Sequence, residues 1–402
     1  MMKNNIVIAI ILLIIAYSCS TETKKQTTET DYKLEEKTVV KVKEQVTEKT
    51  YDTGLYELIL SEDTTNSNLI VFIDPHGDGK LIYDKINSIS NKLNSNIICL
   101  KNVENNIPNY VDLINTDIDN YKEQTKKEIS NLYLVGFSGG ARMAFQYANK
   151  HKVAGVVMCG AGIGNMIENP LQFPIAFIAG TADFNFNEQY YSPFSDVAKN
   201  KNVLGLTFNG KHEWPNNDLL SLSIKFLQSK NGEDISEYVS YNDMMNDYND
   251  YRKHNEQFMA FKKIETINKI FATEQTQKEF DSFISSKRFK DFATKFEISL
   301  QIEFDRNNGL ASALLSQSWE WWESKINEID NIIKTSSDNL ERDSYKRTRA
   351  YLGIVMFSVV NREIKNVNSP NTEKYLKIYE KLEPENEDML RFKEQYQYQH
   401  NS

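Results

Sequence analysis

The sequence predicts an α/β chain, with a mostly parallel sheet over residues 51–230 followed by an all-α domain over residues 231–402. Three observations carry this. Strand-like and helix-like stretches alternate through the first part, and such alternation requires crossover connections and parallel pairing. Several strand candidates are unbroken apolar runs, as expected of strands covered on both faces. Beyond Lys230 the strand signals stop, leaving helix-period segments rich in Lys, Glu, Phe and Tyr.

In chain order, the expected strands are "LYELIL" (55–60), "LIVFID" (69–74), "NIICL" (96–100), "NLYLVG" (131–136), "VAGVVM" (153–158), "PIAFIAG" (174–180) and "VLGLTF" (203–208). Helical patterns lie between them, for example at 81–93, 140–150 and 219–229. In the second part, "SYKRTRAYLGIVMFSVVNREI" and "NTEKYLKIYEKLEPENEDMLRFKEQY" are helical. Trp319, Trp321 and Trp322 in "SWEWWESK" are expected to anchor helix packing rather than to form a sugar-stacking platform.

The N-terminus speaks to compartment. Lys3 precedes an almost wholly aliphatic stretch at 6–16, and Tyr17-Ser18-Cys19 follows. About a dozen apolar residues are too few to cross a hydrocarbon layer of about 30 Å, but they suit the core of a secretory signal. "AYSC" resembles a bacterial lipobox, which implies cleavage after residue 18, lipidation of Cys19 and residence in the cell envelope. Residues 19–50 are dominated by Thr, Glu and Lys, a composition that cannot bury enough surface to offset its ordering entropy, so a flexible tether is expected there. Multiple acylation at Cys19 would hold the chain stably, whereas one acyl chain binds marginally.

The run "NLYLVGFSGGARMAF" contains Gly136-Phe137-Ser138-Gly139-Gly140 between a strand and a helix. A serine hydroxyl becomes a useful nucleophile only with a base, a group that orients the base, and N–H donors for the oxyanion. Gly136 and Gly140 flank Ser138 where strand and helix approach closely, which gives a short motif its meaning. The Gly139 amide then lies at a helix N-terminus that favours negative charge. Of five histidines, only His212 in "FNGKHEWP" sits in a loop directly after a strand and downstream of Ser138. Asp183 in "PIAFIAGTADFNF" lies just past a buried strand, where it would serve as the acid, as a helix N-cap, or as both.

Residues 51–230 resemble an α/β-hydrolase of the compact esterase, dienelactone-hydrolase and polyhydroxybutyrate-depolymerase-like branch, on the strength of "GFSGGARMA", "AGTAD" and "GKHEWP" in that order. The resemblance implies Ser138 as nucleophile, His212 as base and Asp183 as acid, with an acyl-enzyme intermediate and no cofactor. It also implies a second oxyanion amide from "FIDPHGDGK", supplied by Gly77 or Asp78. The connection between 158 and 174 is too short for the cap domain found in many relatives. The C-terminal helices are therefore expected to cover part of the site, their aromatic residues shaping its pocket. The C-terminal stretch "NTEKYLKIYEKLEP" weakly resembles a tetratricopeptide helix, without a sustained period of about 34 residues.

Other classes fit less well. A net charge of −9 with interspersed signs supplies no basic stripe for nucleic acid. Asp74, His76 and Asp78 could be read as metal ligands, but no further His or Cys converges on them in sequence, so no metal is expected. Cys99 and Cys159 sit in apolar strands and are expected as buried thiols. The expected substrate is a small or polymeric ester, the membrane is reached through the N-terminal lipid, and the helical domain offers a surface for a protein partner. A serine peptidase or amidase uses the same three residues. A silent binding or assembly lipoprotein would keep the fold alone.

Overall fold

A computed structural model describes residues 50–52, 54–163, 172–189, 200–235, 238–366 and 369–401. The expected signal, the lipidation site at Cys19 and nearly all of the tether lie outside these residues. The sheet is formed by β1 (Thr50–Asp52), β2 (Tyr56–Ile59), β3 (Asn68–Ile73), β4 (Asn96–Leu100), β5 (Asn131–Phe137), β6 (Gly155–Cys159), β7 (Ile175–Gly180) and β8 (Val203–Phe208). Their order is β1-β2-β4-β3-β5-β6-β7-β8. β1 pairs antiparallel with β2 and β2 antiparallel with β4; from β4 through β8 every pairing is parallel. This is the α/β-hydrolase arrangement, followed by an all-helical region, and both were expected from the alternation of patterns.

The helices of the sheet half are α1 (Gly79–Ile86), α2 (Ser90–Leu93), α3 (Tyr110–Thr125), α4 (Gly139–Ala148), α5 (Phe186–Gln189) and α6 (Asn217–Lys230). Strand residues alternate between two cores because successive side chains point to opposite faces. Leu69, Val71 and Ile73 of β3 pack with Ile114 and Ile118 of α3 and with Ala141 and Phe145 of α4. Ile70 and Phe72 face the other way, against Ile82 and Ile86 of α1 and Leu220, Ile224 and Leu227 of α6. Two helical layers therefore cover the sheet, which explains why its strands read as continuous apolar runs.

The helical pattern at 81–93 is interrupted: a 3-10 turn at Asn87–Ile89 separates α1 from α2, and Asn94 ends α2 at φ +44°. Helix α3 fills the connection between β4 and β5, its buried positions Ile114, Asp117, Ile118 and Tyr121 following the helical repeat.

Beyond Lys230 come α7 (Tyr241–Lys253), α8 (Gln257–Phe271), α9 (Glu274–Ser285), α10 (Lys287–Ser316), α11 (Trp319–Thr335), α12 (Asn339–Glu363), α13 (Thr372–Leu382) and α14 (Glu387–Asn401). Side-chain oxygens of Ser286, Ser318 and Asp338 accept hydrogen bonds from the first turns of α10, α11 and α12. Trp322 is fully buried between α11, α12 and α13, with Trp319 and Trp321 packed against the same core, as expected of packing anchors.

Candidate active site

Strand β5 runs straight into Ser138, and α4 begins at the next residue. Ser138 adopts φ +51° and ψ −117°, a conformation that L-residues avoid and that costs on the order of 1–3 kcal/mol. Its amide is held by Cys159 O at 2.8 Å, which continues the β5–β6 ladder through the turn. The turn also requires its glycines. A Cβ on Gly136 would stand 2.4 Å from the Gly140 carbonyl, and one on Gly140 would stand 2.2 Å from Ile73 O. Strand and helix thus close on each other with no room for a methyl group, and the serine is left on a sharp bend.

Asp183 lies three residues past the end of β7, and His212 lies four past the end of β8. The structure brings both to Ser138. His212 Nδ1 is 2.9 Å from Asp183 Oδ1, and His212 Nε2 is 2.9 Å from Ser138 Oγ. With Asp183 ionised, Nδ1 carries the ring proton and donates it to the carboxylate. Nε2 is then an acceptor facing the serine hydroxyl. The Asp183 side chain is 1% exposed. Its Oδ1 also accepts the Asn185 amide at 2.8 Å, while Oδ2 is buried without a hydrogen-bond partner among the described residues. Asn185 Nδ2 donates to Gly160 O at 2.8 Å, fastening the Asp183 loop to the end of β6.

Aromatic rings fix the imidazole from the sides. Phe184 lies 4.2 Å from the His212 ring and Phe137 lies 4.8 Å from it, measured between centroids. Trp214, two residues beyond His212, packs on Phe137 at 5.3 Å and donates its Nε1 hydrogen to Asp74 Oδ2 at 2.8 Å. The other oxygen of Asp74 accepts the His76 amide at 2.9 Å. Phe137 and Phe184, which flank His212, and the Asp74–Trp214 bond behind them were not singled out in the sequence. Their proximity comes from long-range closure that spacing does not encode.

The loop after β3 spends its polar groups in a way that separates the sequence candidates. The Gly77 amide donates to Asp74 O at 3.2 Å. The Asp78 carboxylate caps α1 by accepting the Leu81 amide at 2.9 Å. The His76 ring is largely exposed and lies 3.2 Å from Asp74 Oδ1. Among the described residues, no three His, Cys, Asp or Glu side chains converge in a way that could hold a metal. Cys99 and Cys159 are free, fully buried thiols, and burial pushes the ionisation of both far up.

No family model matches the chain, and no curated protein matches it. Solved structures with a similar fold include a fluorophosphonate-binding serine hydrolase of Staphylococcus aureus with substrate bound. It shares 13% identity at a TM-score of 0.32, covering 44% of this chain and 96% of that one. A monoacylglycerol lipase of Paleococcus ferrophilus aligns at 15% identity and a TM-score of 0.30, covering 45% of this chain and 99% of that one. A carboxylesterase of Mesorhizobium loti aligns at 11% identity and 0.30, covering 46% and 100%. Each spans less than half of this chain, and none supplies chemistry to it.

Proposed function

We propose that the chain is a serine hydrolase that cleaves carboxylic esters through Ser138, His212 and Asp183. The observation that carries this reading is the unbroken hydrogen-bonded chain from Asp183 through His212 to a serine held at positive φ. A serine serving only as a turn residue has no need of a strained backbone and a buried carboxylate behind its imidazole partner.

In this reading Ser138 Oγ attacks the ester carbonyl while His212 Nε2 takes its proton. The negative charge passes to the carbonyl oxygen, which is met by the Gly139 amide at the positive end of α4. Because the Gly77 amide is already engaged with Asp74 O, we assign the second donor to the Asp78 amide. The tetrahedral adduct collapses with cleavage of the C–O bond, and His212 gives its proton to the departing alcohol. Water, deprotonated by the same imidazole, then releases the acid from Ser138. Asp183 stays ionised and stabilises the imidazolium formed in each half-reaction. The residues need no metal or cofactor for these steps. We also propose that the chain is exported and anchored by lipid at Cys19.

Incubation with a fluorophosphonate is expected to modify Ser138, located by mass spectrometry of the digested protein. Ser138→Ala is expected to lower turnover of p-nitrophenyl butyrate by about a thousandfold or more. Full activity in that variant would move the nucleophile elsewhere, and a matched set of ester and peptide substrates decides between esterase and peptidase.

A further inference from the structure

The loop that carries Asp183 is gripped from outside the sheet half. Arg347 on α12 and Glu303 on α10 form an ion pair with side chains 4% and 1% exposed. The guanidinium Nε donates to both Glu303 oxygens at 3.0 Å, and Nη2 donates to Glu303 Oε2 at 2.6 Å. Nη1 points the other way and donates to Thr181 O at 2.7 Å. On the far side of Asp183, Asn187 Nδ2 donates to Glu303 Oε1 at 3.1 Å. The Phe186 ring lies beneath the guanidinium, with its centroid 4.7 Å from Cζ. Phe186 and Ala179 pack with Phe296 of α10, with Phe258, Leu300 and Leu340 around them. Thr181 and Asn187 bracket Asp183, so one buried pair from two distant helices fastens both shoulders of the loop.

A buried ion pair is poor evidence of stabilisation, since removing two charges from water costs about as much as their attraction returns. What this pair does have is geometry: three donor directions of a rigid fork divided between a carboxylate and a backbone carbonyl two residues before Asp183. We propose that Arg347 and Glu303 are positioning residues of the reaction, through which the C-terminal helical region aims the Asp183 carboxylate at His212. This rests on the proposed serine chemistry. Without the clamp the loop is free to shift, and the hydrogen bond from His212 Nδ1 lengthens. Loss of that counter-charge disfavours the protonated form of a base, which is what a pH profile of turnover reads.

The test uses the full chain and the double variant Arg347→Met/Glu303→Leu, which removes both charges at similar volume, beside Arg347→Lys, which keeps the charge but not the fork. Thermal melting establishes that each is folded. For the double variant, kcat on p-nitrophenyl acetate is expected to fall about ten- to hundredfold, with KM within about twofold. The acid limb of its kcat/KM profile is expected to move to lower pH. Arg347→Lys is expected to lie between wild type and the double variant on both measures, and it carries the test alone if the double variant does not fold. A folded variant with wild-type kcat and an unmoved acid limb overturns the proposal, whatever its melting temperature. Fluorophosphonate labelling of the wild type keeps the two readings apart. If Ser138 is not labelled, the serine chemistry itself fails; if it is labelled and the variants behave as wild type, only the clamp does.

Discussion

Asp74 accepts hydrogen bonds from the His76 amide and from Trp214 Nε1, so one carboxylate joins the loop after β3 to the loop that carries His212. Asp74 is 5% exposed, and a buried acceptor stripped of its donor loses about 1–3 kcal/mol. Trp214→Phe keeps an aromatic ring beside Phe137 and removes the donor together with part of the indole's packing. It is expected to lower kcat for p-nitrophenyl butyrate by about tenfold with a smaller effect on KM, and to lower the melting temperature by several degrees. Unchanged kcat would mean that the two loops keep their places independently. At this scale the sequence was informative where a residue's meaning is local. Ser138 announced itself through its glycines, and Asp183 and His212 through their places just past apolar runs. Asp74 and Trp214 both lie in strings that stood out for other reasons, but their contact spans 140 positions, and no periodicity links them.

Among the elements, α3 carries a buried acid that makes its packing sensitive to pH. Asp117 sits on its buried face with 0% exposure, and burial pushes its carboxyl up to about 7. Asn102 Nδ2 donates to it at 3.3 Å and works against the shift, while the second oxygen is buried without a partner among the described residues. An acid raised above its ordinary 3.8 holds its proton more tightly in the folded chain than in the unfolded one. Its contribution to stability is therefore fully present below about pH 4 and is lost as the pH rises through 7. Asp117→Asn is expected to be more stable than wild type at pH 8, by about 1–2 kcal/mol, with the gap closing toward pH 4. Urea melts at both pH values measure this, and a constant gap would contradict it. The strands were readable because double-sided burial makes them largely apolar, with few polar residues such as Glu57 and Asn96 among them. In α3 the buried stripe of Ile114, Ile118 and Tyr121 includes the acid Asp117, so its apolar pattern is weaker than that of the strands.

For the whole molecule, the change of pattern near Lys230 in the sequence coincides with the end of α6, but the pattern did not reveal how the two parts meet. The helices were expected over the mouth of the site. Among the described residues, the hydrogen bonds and ring contacts of Ser138 and His212 come from the sheet half alone. The helical region reaches the loop around Asp183, through Arg347 and Glu303. Such a junction depends on side chains from three remote segments and has no local signature. The tether and its anchor belong to this scale too. Cys19→Ala is expected to shift the protein from the membrane fraction to the soluble exported fraction, followed by fractionation and immunoblotting. Persistence in the membrane fraction would remove the lipid anchor from the proposal. The two remaining cysteines have a practical value. Cys99 and Cys159 are inaccessible and resist forming thiolates, so with position 19 mutated or acylated a maleimide dye finds no native target in the folded state. One engineered thiol on an exposed helix can then carry a spectroscopic reporter free of background labelling.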